Sequence, residues 1–209
     1  LQINKNRIFI INNFSDITKN QSFNKNKQTN SICSLANLRI EKDHINLFNA
    51  IEILVKEFKY KDLLVYCLGN YYNDNYYHNL VALIKQKEIS NNIKIVGSVT
   101  NISKYLNKCE IGVLSSSIEG LPVSLIEYGL AELPVVCTDV GQCSKVIQNR
   151  VSGILVPPKN SKILAKAIHY LLKNKKESVE MGKKLKNHIN SHYSEASFLK
   201  NYLEIIHKS

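Results

Sequence analysis

Apolar residues recur along this chain in two alternating rhythms. Short, nearly unbroken apolar runs at residues 31–36, 63–68, 93–96, 111–114, 135–138 and 154–156 read as strands buried on both faces. Between them, apolar positions return every three or four residues. Over 44–58 the residues Ile45, Leu47, Phe48, Ile51, Leu54, Val55 and Phe58 make one helical face, with Asp43 as its cap. Similar spacing predicts helices over 74–88, 101–108 (capped by Asn101), 122–132 and a short one ending near 149. Beyond Pro157-Pro158 helices take over, at 161–174, 176–192 and 196–208. Strands alternating with helices predict right-handed βαβ units and an α/β fold, a doubly wound parallel sheet. Ligands of such sheets sit beyond the carboxyl ends of the strands. The loops at 37–42, 69–73, 97–101, 115–121 and 138–142 fall on that edge. Upstream, Ile8-Phe9-Ile10-Ile11 reads as a further strand, Asn12-Asn13 as a turn, and residues 15–30 as a polar linker.

The loop at 115–121 carries the most chemistry. Ser115-Ser116-Ser117-Ile118-Glu119-Gly120-Leu121-Pro122 leads into Val123-Ser124-Leu125-Ile126-Glu127-Tyr128-Gly129. Pro122 suits the first turn of a helix, where its missing N–H is no loss. The N–H groups of Val123, Ser124 and Leu125 would then open toward an anion. Glu119 stands in front of that helix end and Glu127 one to two turns behind it. Two carboxylates around a phosphate-attracting terminus fit a ligand with hydroxyls on both sides of its phosphates, the shape of a nucleotide sugar.

Composition narrows the picture. At 209 residues, 44% of them hydrophobic, the chain can build one good-sized core, and no apolar run approaches a membrane span. It begins at Leu1 with no signal peptide, and is expected to lack an N-terminal part. Cys33, Cys67, Cys109, Cys137 and Cys143 form no Cys-x-x-Cys pair and read as small buried apolar residues of a reducing compartment. The formal charge of +11 is mostly lysine, much of it beyond Lys159. Solvated helix faces account for most of it, and attraction to an anionic membrane surface or acceptor for the rest. Nucleic acid is not expected, because no zinc-finger, aromatic-basic strand or helix-turn-helix signature is present.

Several spaced motifs together resemble the retaining glycosyltransferases of family 4 (group 1). They are Ser117 to Glu127 with its Glu–seven residues–Glu spacing, then Leu133-Pro134-Val135-Val136 and Thr138-Asp139-Val140-Gly141. Upstream, Ala36-Asn37-Leu38-Arg39-Ile40-Glu41-Lys42-Asp43-His44 is similar to that family's phosphate loop. Residues 97–106 and 153–157 fall at its base-binding loop and a turn, so the likeness covers about 31–175, with 8–14 resembling the interdomain segment. The resemblance implies the C-terminal, nucleotide-sugar-binding half of a two-domain GT-B fold, whose missing N-terminal domain brings the acceptor. Expected divisions are 1–30 as interdomain strand and linker, 31–175 as Rossmann-like donor domain, and 176–209 as closing helices.

Carried onto this chain, the resemblance assigns catalysis to Glu119, Lys42 and Arg39. Glu119 would lie near the donor sugar, and Lys42 and Arg39 would neutralise the diphosphate of the leaving group. Glu127 would accept from the ribose hydroxyls. Backbone groups of Gly120 and Leu121 would reach the sugar, those of Val123 and Ser124 a phosphate, and those of Val99 and Ile102 the base. The family's Gly-Arg-Leu stands here as Ala36-Asn37-Leu38, with the arginine two residues later at Arg39; Lys145 replaces a glutamate and Gln142 a second glycine. No Asp-x-Asp or His/Asp cluster is present, so no metal or cofactor is expected, only the nucleotide-diphosphate sugar as substrate. The implied partner is a glycan or glycolipid acceptor, assembled in the cytoplasm at the inner face of a membrane, with peripheral membrane contact. A non-catalytic nucleotide-sugar-binding or interaction module of the same fold is the alternative. Ser116 and Ser117 read as loop formers, His44 as early-helix surface or packing, and Tyr71, Tyr72, Tyr76 and Tyr77 as packing or interdomain residues.

Overall fold

The computed structural model describes residues 9, 11–15, 17 and 27–208. Of the strand expected at 8–11 only residues 9 and 11 are described, and neither is in a strand, while most of the polar stretch after it lies outside the described residues. Six strands form one parallel sheet: β1 (Ser31–Leu35), β2 (Leu64–Leu68), β3 (Ile93–Gly97), β4 (Ile111–Leu114), β5 (Val135–Thr138) and β6 (Ile154–Val156). Their order is β3-β2-β1-β4-β5-β6, so the winding reverses between β1 and β4. Eight α-helices follow the expected order: α1 (His44–Lys56), α2 (Asn75–Gln86), α3 (Ser103–Lys108), α4 (Val123–Leu130), α5 (Cys143–Val146), α6 (Ser161–Lys173), α7 (Lys175–His192) and α8 (Glu195–Lys208). The expected doubly wound α/β sheet is therefore the observed one.

Alternate strand residues serve opposite cores, as a two-faced sheet requires. Ile32, Val65, Val113 and Val136 face α1, α2 and α6. Cys33, Leu68, Leu114 and Val135 face α4, α5 and α7. All five cysteines are buried within these layers. No described helix is long and apolar enough to cross a membrane.

The reversal point has its own fastening. β1 and β4 pair only at Ile32↔Ile111 and Cys33↔Gly112. Past that rung the ladder stops, and the hydroxyl of Tyr128, fully buried on α4, enters the gap. It accepts from the Leu35 N–H at 2.6 Å and lies 3.2 and 3.3 Å from the carbonyls of Cys33 and Val113. Gly112 makes room, since a Cβ there would come 2.7 Å from the Tyr128 ring. Tyr128→Phe should lower stability by about 1–3 kcal/mol, because it removes the buried hydroxyl to which the Leu35 N–H donates. Urea unfolding checks this; an unchanged midpoint would show that water takes the hydroxyl's place.

The two C-terminal helices are packed differently. α7 is integral to the domain core: Leu185 and Ile189 are fully buried and pack on α4, where a Cβ at Gly129 would collide with the Ile189 side chain. α8 does present apolar residues, with Leu199, Tyr202, Leu203 and Ile206 about half exposed. Phe198 is covered by Phe14, ring centroids 5.0 Å apart. Phe14 and Ser15 therefore lie against the domain body.

Candidate functional site

The strands on either side of the reversal, β1 and β4, deliver the two loops that build the site. After β1 the chain makes a 3-10 turn at Ile40–Lys42 and enters α1 through Asp43, whose carboxylate accepts from the Asn46 N–H at 3.1 Å. After β4 come Ser115, Ser116 and Ser117. The Ser115 hydroxyl donates to the Lys42 carbonyl at 3.0 Å, and the Ser117 N–H to the Glu41 carbonyl at 2.8 Å. Ser116 donates to Glu119 Oε1 at 2.6 Å, while the Thr138 hydroxyl holds the Ser116 carbonyl at 2.6 Å. Ser115 and Ser117 thus lace one loop to the other, while Ser116 holds Glu119 within its own loop.

That lacing brings together two predicted site residues. Lys42 Nζ lies 2.7 Å from Glu119 Oε1, in an ion pair with side chains 24% and 6% exposed. At so little exposure a charge keeps most of its electrostatic strength, and each group holds the other in place. Arg39 is not part of this cluster. It sits at the start of the 3-10 turn, its side chain 54% exposed and its guanidinium 4.0 Å from Glu41.

Helix α4 starts one residue later than expected. Pro122 is its cap, with extended ψ of 114°, and Leu125 N–H is used by the Pro122 carbonyl at 3.2 Å. Two N–H groups, on Val123 and Ser124, remain at the helix end with no partner among the described residues, where the partial positive charge of the terminus favours an anion. Gly120 faces open space: beyond its own chain neighbours, no atom of the described residues lies within 4 Å of where a Cβ would stand. Leu121 packs partly into the second core. The Gln142 N–H holds the Gly120 carbonyl at 3.0 Å. Gly141, at φ +56°, runs so close to the Glu119 carbonyl that a side chain there would overlap it.

Glu127 sits further along α4, half buried. Burial pushes its carboxyl up to about 7, and a hydrogen bond with the Ser15 side chain works against that shift. Val99 and Ile102 pack partly into the second core. The Ile102 carbonyl already accepts from the Tyr105 and Leu106 N–H groups at 3.0 and 3.1 Å. Base contacts there would fall to the remaining peptide groups. Lys145 points its side chain to solvent and gives its carbonyl to the Tyr193 hydroxyl at 3.1 Å.

His44, read as surface or packing, is packing. It is fully buried on α1 with neither ring nitrogen hydrogen-bonded to a described residue, and burial lowers its pKa to about 4, aided by the Lys42 charge. Tyr71 stacks on Tyr77 at 4.6 Å, and Tyr76 and Tyr77 pack against the first core, whereas Tyr72 is exposed. Sequence reasoning missed Tyr128 and Ser15. A tyrosine in an apolar helix face and a serine in a polar stretch carry no local signal of those contacts.

Comparison with known proteins gives this geometry a family. Residues 15–188 match the profile of the "Glycosyl transferases group 1". The chain is 30% identical over 139 residues to the Staphylococcus aureus capsular polysaccharide biosynthesis glycosyltransferase CapH, covering 66% of this chain and 38% of that protein. It is 26% identical over 206 residues to the S. aureus poly(ribitol-phosphate) alpha-N-acetylglucosaminyltransferase, 98% of this chain and 40% of that one. Among solved structures, a variant of S. aureus TarM in complex with fondaparinux, alpha-GlcNAc-glycerol and UDP superposes with a TM-score of 0.83 at 25% identity, over 94% of this chain and 39% of that chain. Anabaena HepE in complex with UDP shares the fold, TM-score 0.80 at 16% identity, over 87% of this chain and 49% of that chain. The chain thus spans about two fifths of the length of the curated relatives it matches. With the profile running through both loops of the β1/β4 crevice and the helix behind them, the chain belongs to the group 1 glycosyltransferases.

Proposed function

We propose that this chain is the donor-binding, C-terminal domain of a retaining, metal-independent glycosyltransferase that moves a hexosyl-type sugar from a nucleotide-diphosphate sugar to a glycan or lipid-linked acceptor. The observation that carries the reading is the Lys42–Glu119 pair, 2.7 Å apart in the crevice in front of the α4 N-terminus. Lys42 and the Val123 and Ser124 N–H groups would bind the diphosphate and stabilise it as the sugar bond breaks. Glu119 would face the sugar, beside the open space at Gly120. Arg39, exposed on the rim, would reach the phosphates only after reorienting. Glu127 would accept from the ribose, and Val99 and Ile102 would border the base. The missing N-terminal domain would bring the acceptor, at the cytoplasmic face of a membrane. UDP, the nucleotide bound to TarM and HepE in their solved complexes, is the first candidate.

Calorimetry of the full-length protein with UDP, GDP and ADP tests the reading, and binding of none would refute it. Donor binding without transfer or hydrolysis would favour a non-catalytic module. Glu127 adds a pH signature. With its carboxyl pushed up to about 7, the free protein holds a proton there below that pH, and must lose it to accept from two hydroxyls. Nucleotide affinity should therefore rise as pH increases from 6 to 8, with proton release on binding at pH 6. Glu127→Gln should flatten that profile and weaken binding by about 1.5–3 kcal/mol, the range for a charge-assisted hydrogen bond. A slope that survives in the variant would assign the proton elsewhere.

A further inference from the structure

Positive charge is spread unevenly over the described surface. Helix α6 contains no acidic residue, and Lys162, Lys166 and Lys173 follow at steps of four and seven, which keeps them on one face, with Lys159 just ahead of the helix start. From Lys162 to Lys173 they span about 16 Å at the α-helical rise. Arg150 extends the row, its guanidinium 5.3 Å above the Tyr170 ring. None of these five cations pairs with a carboxylate of the described residues, whereas Lys87, Lys175, Lys183 and Lys186 each do.

The row begins at a pocket of about 350 Å³ between the first turns of α1 and α6. Its walls include Lys159 and Ser161 of the α6 start, Asn46 and Asn49 of α1, Tyr76, and Ser117 of the loop that carries Glu119. Asn46 is only 5% exposed, and its Nδ2 has no partner among the described residues. The Tyr76 hydroxyl accepts from the His44 N–H at 3.2 Å, which leaves its own proton to donate. The Asn160 side chain caps the Ile163 N–H, and the N–H groups of Ser161 and Lys162 have no partner among the described residues. One carboxylate, Asp43, borders the pocket, and its Oδ1 is committed to the Asn46 N–H. Amides, hydroxyls and two isoleucines suit a sugar or polyol unit. A lysine beside open helix N–H groups suits the anion attached to it.

We propose that the pocket and the α6 lysine row form one docking track for an anionic glycan, a chain of sugar or polyol units joined by phosphodiesters. The inference deepens the glycosyltransferase reading, since the pocket backs onto the same two loops as Lys42 and Glu119, and it names the acceptor as a polyanion. A lipid surface fits less well: Ile163 is the one large apolar side chain exposed on α6, where a membrane-lying helix needs an apolar face.

The test uses full-length protein, a fluorescent poly(glycerol phosphate) oligomer, a neutral dextran oligomer of equal length and anionic lipid vesicles. Lys162→Glu with Lys166→Glu should weaken oligomer binding about tenfold or more at low salt, the loss falling as salt rises. Lys183→Glu with Lys184→Glu on α7 makes the same charge change and should leave the affinity within about twofold, since it lies off the row. Asn49→Phe, which fills the pocket, should weaken the oligomer while thermal unfolding shows the fold intact. Dextran should not bind. Equal losses in the two charge-reversed proteins would overturn the track in favour of net charge. Vesicle binding that depends on the α6 lysines, with oligomer binding unaffected, would overturn it in favour of a membrane face. UDP affinity in the same samples separates the two readings: no nucleotide binding with the expected oligomer pattern would refute the donor site and leave the track standing.

Discussion

Replacing Lys42 with alanine should lower turnover by about 10²–10³-fold, the range seen when one preorganised charge or donor is removed from a developing anion. The lysine is held against Glu119 at 2.7 Å and largely shielded from water, so its position is set before any donor arrives. Its loss takes away the cation facing the departing diphosphate. It also leaves Glu119, 6% exposed, with the Ser116 hydroxyl as its remaining described partner, which should cost about 1–3 kcal/mol of stability. Nucleoside diphosphate affinity should fall as well, because the phosphates lose a contact they make before the reaction. Glu119→Gln should separate these effects: nucleotide affinity held, turnover lowered, since the carboxylate faces the sugar end. Steady-state kinetics and calorimetry on both variants check the division. Undiminished diphosphate affinity in Lys42→Ala would remove the lysine from the phosphate site.

Gly141→Ala should be nearly as damaging without touching any charged residue. At φ +56° an alanine is strained by about 1 kcal/mol or more. The larger effect is steric, because the added methyl would overlap the Glu119 carbonyl, a backbone atom that no rotamer change can move aside. The 115–121 loop must then shift, and with it the Lys42–Glu119 pair and the Gln142–Gly120 hydrogen bond. A displacement near 1 Å costs about 10²-fold in rate when reacting groups must be aligned. The expected result is a turnover loss of that size with a thermal midpoint only a few degrees lower, read by transfer assay and thermal unfolding. Full activity would show that the loop is positioned from elsewhere.

Much of this architecture is legible from residue order. Strands β4, β5 and β6 fall at the expected residues, since an unbroken apolar run between polar loops leaves few alternatives to a doubly covered strand. Asp43 and Asn101 announce helix starts because a cap acts on an N–H group three residues away, here those of Asn46 and Lys104. The paired glutamates and Lys42 were visible as motif positions. Arg39 was equally visible and lies on the rim, because spacing along a loop does not say which way a side chain leaves it.

What sequence alone determined here is most of what local chemistry governs: the strands and α-helices in their order, the Asp43 cap, and the edge where the loops gather. The tertiary structure alone decided which distant residues meet. Lys42 and Glu119 are 77 residues apart and touch because β1 and β4 are neighbours in the sheet. Tyr128 reaches Leu35, 93 residues back, because Gly112 leaves space under the reversal point. Ser15 reaches Glu127, and His44 is sealed away from water beside a charged loop, by packing that no neighbour in sequence records. The physical reason is range. Capping and periodicity act over a few residues, whereas an ion pair or a buried hydroxyl depends on where the sheet sets its strands.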